Sequence, residues 1–358
     1  MILRAGYDAL LLDLDGTLYV GAHAVPGAAA ALAGDMVEGS GQRLLYVTNN
    51  ASRGPETVAE HLRELGFPAI ADDVVTSAQA AAGVLARRLA PGSAVLVVGT
   101  DALAAEIAAV GLRPVRSADE RPKAVVQGHN PDTGWAMLAE ASFAIRAGAD
   151  WVATNTDATL PTERGLAPGN GSMVAAVRAA TDRSPDVAGK PARPIMIDSL
   201  NRAGAQRALV VGDRLDTDIA GANAAEVDSL LVLTGVSTVR DLLRAPVEQR
   251  PSFVAFALDA INRPIERAAA AGRAGWRAEF DGTDVLLSRS GGVESAADGL
   301  GDDAAGLAAA VATAWANPEF GELRPLGPAA AAALRRWEER TVLAGPAVPL
   351  VPGTTEIG

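Results

Sequence analysis

Two carboxylates two residues apart, Asp13 and Asp15, close a short apolar run and are followed at once by Gly16. Ala9 to Leu12 reads as a strand buried on both faces. In extended backbone, residues two apart point the same way, so the spacing predicts both carboxylates at one site. Two such charges about 4 Å apart repel by roughly 4 kcal/mol at an effective dielectric near 20. A hard divalent cation between them is the natural remedy; an acidic turn after a strand is the plain alternative. Three further polar clusters stand at strand or loop ends: Thr48-Asn49-Asn50, Lys190 with its neighbours Gly189 and Pro191, and Asp213 to Asp218. Each alone could be ordinary, as a turn, a solvated loop lysine or a helix cap. Together they match the needs of phosphoryl transfer, which are a nucleophile, a proton donor, a metal and donors for the phosphate oxygens.

The elements that must position these residues follow in a regular order. The Ala9 strand leads to an Ala-rich helix expected over Val25 to Ala33, with Pro26 near its start. Strand Leu44 to Val47 runs into Thr48, and a helix from Pro55 to Leu65 closes at Gly66. Alternation of strand and helix at this pace predicts a doubly wound parallel sheet, with both polar clusters on its carboxyl edge. A second set of strands, Ala94 to Val98, Ala124 to Gln127 and Trp151 to Ala153, alternates with helices over Asp101 to Ala109 and Gly134 to Ala147. Asp101 reads as the N-cap of its helix. After Lys190 come a helix, the strand Ala208 to Val211 and a strand from Leu230 to Leu233.

The texture changes beyond about Ile261. Arg273 to Phe280 and Thr283 to Ser288 flank Asp281-Gly282, a hairpin signal. Ser290 to Gly301 reads as loop, and helices are expected over Asp303 to Ala316 and Pro328 to Arg340. Gly345 to Gly358 holds three prolines and reads as a loose tail. The organisation expected is a core over 1–85 and 183–262, an inserted unit over 86–182, a small α+β unit over 263–344 and a tail over 345–358.

The chain has 358 residues, 49% of them hydrophobic but only 4% aromatic, so Ala, Leu and Val must fill the cores. Its formal charge of -12 argues against nucleic acid and anionic membrane as partners. The absence of cysteine excludes disulfides and thiolate metal sites. No apolar h-region precedes the first strand and no run reaches membrane-spanning length, so a cytoplasmic location is expected. The expected partner is a small phosphorylated metabolite, with a homo-oligomer as an open alternative.

Asp-Leu-Asp-Gly-Thr-Leu-Tyr, Tyr-Val-Thr-Asn-Asn, Gly-Lys-Pro and Gly-Asp-Arg-Leu-Asp-Thr-Asp-Ile stand in an order and spacing that resembles the haloacid dehalogenase superfamily. Within it the likeness is to phosphatases with a large inserted α/β cap of the C2 type. It covers roughly residues 7 to 260. The resemblance implies that Asp13 attacks phosphorus and becomes an aspartyl phosphate, while Asp15 protonates the leaving alcohol and then activates water. It implies that Thr48, the Asn49 amide and Asn50 hold phosphate oxygens and that Lys190 neutralises charge. Mg²⁺ is the implied cofactor, held by the Asp13 carboxylate, the Asp15 carbonyl and Asp213, with Asp218 ordering a metal-bound water.

The long stretch between Asn50 and Lys190 places the cap between the second and third motifs, where it can cover the carboxyl edge and exclude water. Within it, Ala153-Thr154-Asn155-Thr156-Asp157 resembles the family's substrate-facing loop. His129, Asn130 and Asn170 depart from the residues relatives commonly carry there. These three are neutral or nearly so at pH 7, which suits exchange of hydrogen bonds with hydroxyls. Arg164, in the loop between Asp157 and Gly169, is the counter-candidate for binding a second anion. A polyol phosphate such as glycerol 3-phosphate is therefore expected over phosphoglycolate, a nucleotide or another sugar phosphate. A phosphotransferase is the second enzyme reading, and a binding or regulatory protein acting through the C-terminal unit is the non-enzyme one.

Overall fold

The computed structural model describes residues 2–33, 41–162, 164–264, 275–289 and 300–342. The expected tail over 345–358 and most of the expected loop over Ser290 to Gly301 lie outside these residues. Six parallel strands form the main sheet, in the order Phe253–Ala255, Asp228–Val232, Ala208–Gly212, Ala9–Leu12, Arg43–Thr48, Val74–Thr76. Ala9–Leu12 is central because its four residues are all apolar and bury both faces. The chain leaves this strand first toward Arg43–Thr48 and returns on its other side at Ala208–Gly212. The order therefore reverses at the strand that ends in Asp13, which is where open α/β sheets bind ligands.

A second parallel sheet is inserted between strands Val74–Thr76 and Ala208–Gly212. Its order is Asp186–Val187, Asp150–Ala153, Ala124–Gln127, Ala94–Val98, Arg113–Val115. Asp186–Val187 pairs with Asp150–Ala153, so this sheet runs beyond the boundary drawn from the sequence at 182. One apolar cluster joins the two sheets: Leu11, Val75 and Val210 from the first, Val97 and Val126 from the second, with Ala81 and Leu85 of helix Ser77–Ala86 among them.

The C-terminal unit pairs Trp276–Phe280 antiparallel with Val285–Arg289, as the Asp281-Gly282 signal predicts. A third strand, Leu323–Leu326, adds in parallel. Helices Leu300–Ala316 and Pro328–Val342 cover the sheet. Trp337, Val311 and Leu287 share a buried cluster with Leu242, Phe256, Leu215 and Ile219 of the main body. Polar contacts fasten the same face: the Trp315 indole N–H donates to the Leu242 carbonyl at 2.9 Å. The Arg244 guanidinium lies 4.7 Å from the Phe320 ring centre.

Two local expectations need correction. The first helix spans Ala28–Ala33 rather than starting at Val25, because Gly27 takes a φ of +80° and a short hairpin, Tyr19–Val20 with His23–Ala24, occupies the preceding chain. Thr100, not Asp101, holds the N-cap position of helix Asp101–Ala109, without a side-chain capping bond. Asp101 is its first residue and pairs with Arg116 at 2.7 Å.

Candidate active site

Asp13 continues the sheet by one residue, its N–H donating to the Val211 carbonyl at 2.8 Å. That registers it beside Asp213, which leaves the neighbouring strand after Gly212. The carboxylates of Asp13, Asp213 and Asp218 each offer an oxygen within 4.8 Å of the others. Asp15 does not join this cluster. The other two carboxylates of the cluster come from the distant Asp213 segment. Asp15 keeps an accessible edge, yet the protein crowded around its carboxyl raises its pKa against the pull of Lys190 and Arg53.

Lys190 is buried and its ammonium reaches into the cluster. It forms an ion pair with Asp13, a second with Asp218 at 2.7 Å, and donates to the Val47 carbonyl at 3.0 Å. Burial alone would lower its pKa, but Asp13 and Asp218 hold it above the ordinary lysine value, so it stays charged. Asp218 also accepts the Arg214 N–H at 3.1 Å. It thus orients Lys190 and closes its own loop, the five-residue turn of π-helix Leu215–Ile219.

Three carboxylates against one ammonium leave a formal excess of two negative charges. The Asp213 carboxyl is driven well above its usual pKa, first by burial and then by Asp13 and Asp218. One of its oxygens accepts the Val236 N–H, while the other, Oδ1, is buried without a hydrogen-bond partner among the described residues. An orphaned carboxylate oxygen in an all-oxygen cluster of net charge minus two fits a hard divalent cation.

The Thr48-Asn49-Asn50 cluster divides its work. Thr48 is buried, with its hydroxyl accepting the Asn50 N–H at 3.1 Å. Asn50 closes the next turn, accepting from the Ser52 N–H and hydroxyl, both at 2.8 Å. Asn49 is a junction. Its Oδ1 accepts the Lys190 N–H at 2.8 Å and its Nδ2 donates back to the Lys190 carbonyl at 3.0 Å. The same Nδ2 reaches Asp157 of the inserted unit at 3.2 Å, and Asn155 donates to the Asn49 carbonyl at 2.7 Å. A methyl group on Gly189 would sit 2.6 Å from Asn49 Oδ1, which explains the glycine before the lysine.

Of the residues expected from the inserted unit, Asn155 and Asp157 are brought to the catalytic edge and the others are not tied to it. Burial raises the Asp157 carboxyl, against Arg214, Asn49 and Lys190. Asn170 is buried and spends its amide on the Asn155 carbonyl at 2.6 Å, bracing that loop from behind. Asn130 closes a turn, accepting the Asp132 N–H at 3.0 Å. His129 is half-buried and burial lowers its pKa. Arg164 lies exposed at the turn of hairpin Thr159–Thr162 with Gly165–Pro168. Two residues that sequence reasoning missed stand nearer. Arg53 acts on Asp15, and Arg214 faces Asp157 while its fork holds Asp216 at 3.0 and 2.8 Å. Arg214 lies within the Gly-Asp-Arg motif and Arg53 three residues past Asn50, which was the available signal.

Comparison with known proteins agrees with this geometry. Residues 10–113 match a family profile described as haloacid dehalogenase-like hydrolase, and residues 187–261 match a second, HAD-hydrolase-like profile. A D-glycerol 3-phosphate phosphatase of Mycobacterium tuberculosis is 51% identical over 338 residues, spanning 92% of this chain and 94% of the relative. This chain is a haloacid dehalogenase-like hydrolase. An acid sugar phosphatase of Staphylococcus aureus is 39% identical over 249 residues, 69% of this chain and 94% of the relative. Among solved structures, a glycerol phosphate phosphatase of M. tuberculosis in complex with magnesium superposes with a TM-score of 0.86 at 48% identity. The match covers 94% of this chain and 98% of that one. A p-nitrophenyl phosphatase of Archaeoglobus fulgidus gives 0.65 at 29% identity, over 71% and 98%. Like these hydrolases, the chain is a phosphoric monoester hydrolase.

Proposed function

We propose that this haloacid dehalogenase-like hydrolase cleaves glycerol 3-phosphate to glycerol and phosphate through an aspartyl phosphate on Asp13, with Mg²⁺ as cofactor. The observation that carries the reading is the junction of Asp13, Lys190, Asp213 and Asp218, an anionic nucleophile held beside a buried permanent cation. The 51% identical relative named for D-glycerol 3-phosphate supports the substrate. No hydrogen bond or ion pair among the described residues ties the Arg164 side chain to the catalytic edge, and it lies exposed at a hairpin turn.

An Asp13 carboxylate oxygen attacks phosphorus as the P–O bond to the glycerol oxygen breaks, and Asp15 gives its proton to the departing alkoxide. Asp15 then takes a proton from water, whose oxygen attacks the aspartyl phosphate and regenerates Asp13 with release of phosphate. The raised Asp15 pKa suits a group that must hold a proton in the first step and accept one in the second. Asp13, Asp213 and the Asp15 carbonyl would hold Mg²⁺, which offsets the charge of the phosphoryl group when bound. Lys190 supplies the remaining positive charge, and Asn49 fixes the lysine backbone. Residues 94–187 act as a cap whose Asn155 and Asp157 meet Asn49 over this edge, where closure over bound substrate would exclude water.

The test is phosphate release from glycerol 3-phosphate and phosphoglycolate at matched Mg²⁺ and pH, with acid-quenched enzyme digested to locate the phosphoryl group. Higher kcat/KM for glycerol 3-phosphate and label on Asp13 are expected. Preference for phosphoglycolate overturns the substrate, and label on another residue overturns the mechanism.

A further inference from the structure

The loop after strand Asp228–Val232 belongs to none of the four motifs, yet it grips both halves of the carboxylate cluster. The Thr234 hydroxyl donates to the Gly16 carbonyl at 2.7 Å. The Val236 N–H donates to Asp213 Oδ2 at 2.5 Å, and the Ser237 N–H to the Asp213 carbonyl at 3.1 Å. The Ser237 hydroxyl accepts the Leu215 N–H at 3.0 Å, which fixes the start of the turn leading to Asp218. Gly235 lies so close that a methyl group there would sit 2.0 Å from Asp213 Oδ2.

We infer that Thr234 is a positioning residue for the divalent-cation site, an inference that rests on the proposed Mg²⁺ reading. The site is assembled from two distant stretches, Asp13 to Gly16 and Asp213 to Asp218. The sheet aligns Asp13 with Asp213, but the chain leaves the sheet at both, and the turn at Gly16 is closed by its own bonds, the Gly16 N–H to the Tyr19 carbonyl and the Leu18 N–H to the Leu14 carbonyl, both at 2.8 Å. Those bonds hold the turn's shape, and Thr234 ties the turn to the loop that also holds Asp213. The peptide it holds adjoins the Asp15 carbonyl, so its hydroxyl sets the spacing between that carbonyl and the Asp213 carboxylate. Mg²⁺ demands near-ideal octahedral geometry, so a small error in this spacing weakens binding more than it weakens folding. A bond serving the loop alone would instead lower thermal stability and leave the cation affinity in place.

The experiment uses the full chain, stripped with EDTA, as the parent, Thr234→Val and Thr234→Ser. Mg²⁺ binding is read by calorimetry and by the Mg²⁺-dependent rise in unfolding temperature. Thr234→Val keeps the side-chain volume and removes the donor. Its Mg²⁺ Kd should be weakened by about three- to tenfold, the range expected for one hydrogen bond. Thr234→Ser should restore the parental value, and activity lost in Thr234→Val should return as Mg²⁺ is raised. Should Thr234→Val not fold, Thr234→Ala takes its place with the same expectation. Affinity within about 1.5-fold of the parent, whatever the change in unfolding temperature, overturns the inference. A parent that binds no Mg²⁺ overturns the metal reading and this inference together, whereas a binding parent with an unaltered variant overturns this inference alone.

Discussion

Replacing Lys190 by Met removes the buried cation while keeping most of its volume. At 2.7 Å, the Lys190–Asp218 pair alone is worth about 6 kcal/mol at an effective dielectric near 20. The Asp13 contact adds to it. Desolvation of the ammonium, which is almost wholly buried, cancels much of this sum. What remains after removal is three carboxylates within 4.8 Å and no compensating charge. Breaking a buried pair from one side costs about 3–5 kcal/mol, and the ability of Asp213 and Asp218 to take up protons keeps Lys190→Met toward the lower end of that range. A typical domain has only about 5–15 kcal/mol in total, so the variant should fold but unfold at clearly lower urea.

The metal separates this account from a general loss of packing. Mg²⁺ at a hundredfold excess over its Kd stabilises a protein by about 2.7 kcal/mol. In Lys190→Met the site is more anionic, so Mg²⁺ should bind at least as tightly as in the parent and recover part of the lost stability, while turnover stays abolished. The assay is urea unfolding followed by tryptophan fluorescence, in EDTA and in saturating Mg²⁺, with binding measured by calorimetry. A loss below about 1 kcal/mol in EDTA would show that the lysine is not compensating buried charge. Tenfold weaker Mg²⁺ binding in the variant would show that the lysine builds the cation site rather than competing with it.

Three further outcomes follow from the same geometry. Asp13→Asn should reduce kcat by at least about 10⁴-fold because an amide is a poor nucleophile, and turnover within tenfold of the parent would refute the assignment. Asn49→Ala removes the two amide bonds that fix the Lys190 backbone and the one that reaches Asp157. It should lower kcat/KM for glycerol 3-phosphate by about 10²-fold, with a smaller change in Mg²⁺ affinity, as steady-state kinetics and calorimetry would show. Ending the chain at Asn262 would uncover Leu242, Leu243 and Phe256. The shortened chain should lose most of its soluble yield, and a monodisperse product of parental activity on gel filtration would show that this face needs no cover.

The sequence made the main sheet and its motifs legible because chemistry and strand ends coincide. Ala9, Leu44 and Ala208 open apolar runs in the main sheet, as Ala94 and Ala124 do in the inserted one. Except for Trp276–Phe280, which its hairpin turn betrays, the sequence hid the strands that sit at sheet edges. Arg113–Val115 and Leu323–Leu326 are short and contain Pro114 and Pro325, which edge strands tolerate and which read as breaks along the chain. Val74–Thr76 and Phe253–Ala255 are edges too, three residues each. The site shows the same division. Asp13, Lys190, Asp213 and Asp218 were named from their motifs, and the structure brings all four together. The positioning roles are not readable: Asn49 and Asn170 are named from the sequence for binding substrate, but Asn49 fixes the Lys190 backbone through its side-chain amide and Asn170 braces the Asn155 loop from behind, while Thr234, which acts through one hydroxyl on a carbonyl, is not named at all.

That contrast has a physical root. A residue that performs chemistry is constrained in type, so its identity carries the signal. A residue that positions another is constrained in place, and many types could occupy it. The backbone does much of the positioning here, through the Val236 and Ser237 N–H groups and the closeness of Gly16 and Gly235 to Asp213. Glycine is then the trace left in the sequence by a contact that belongs to its neighbour. Gly16, Gly189 and Gly235 each stand where a methyl group would meet Asp213 or Asn49 within 2.6 Å. The three glycines therefore outline the catalytic edge as closely as the four charged residues do.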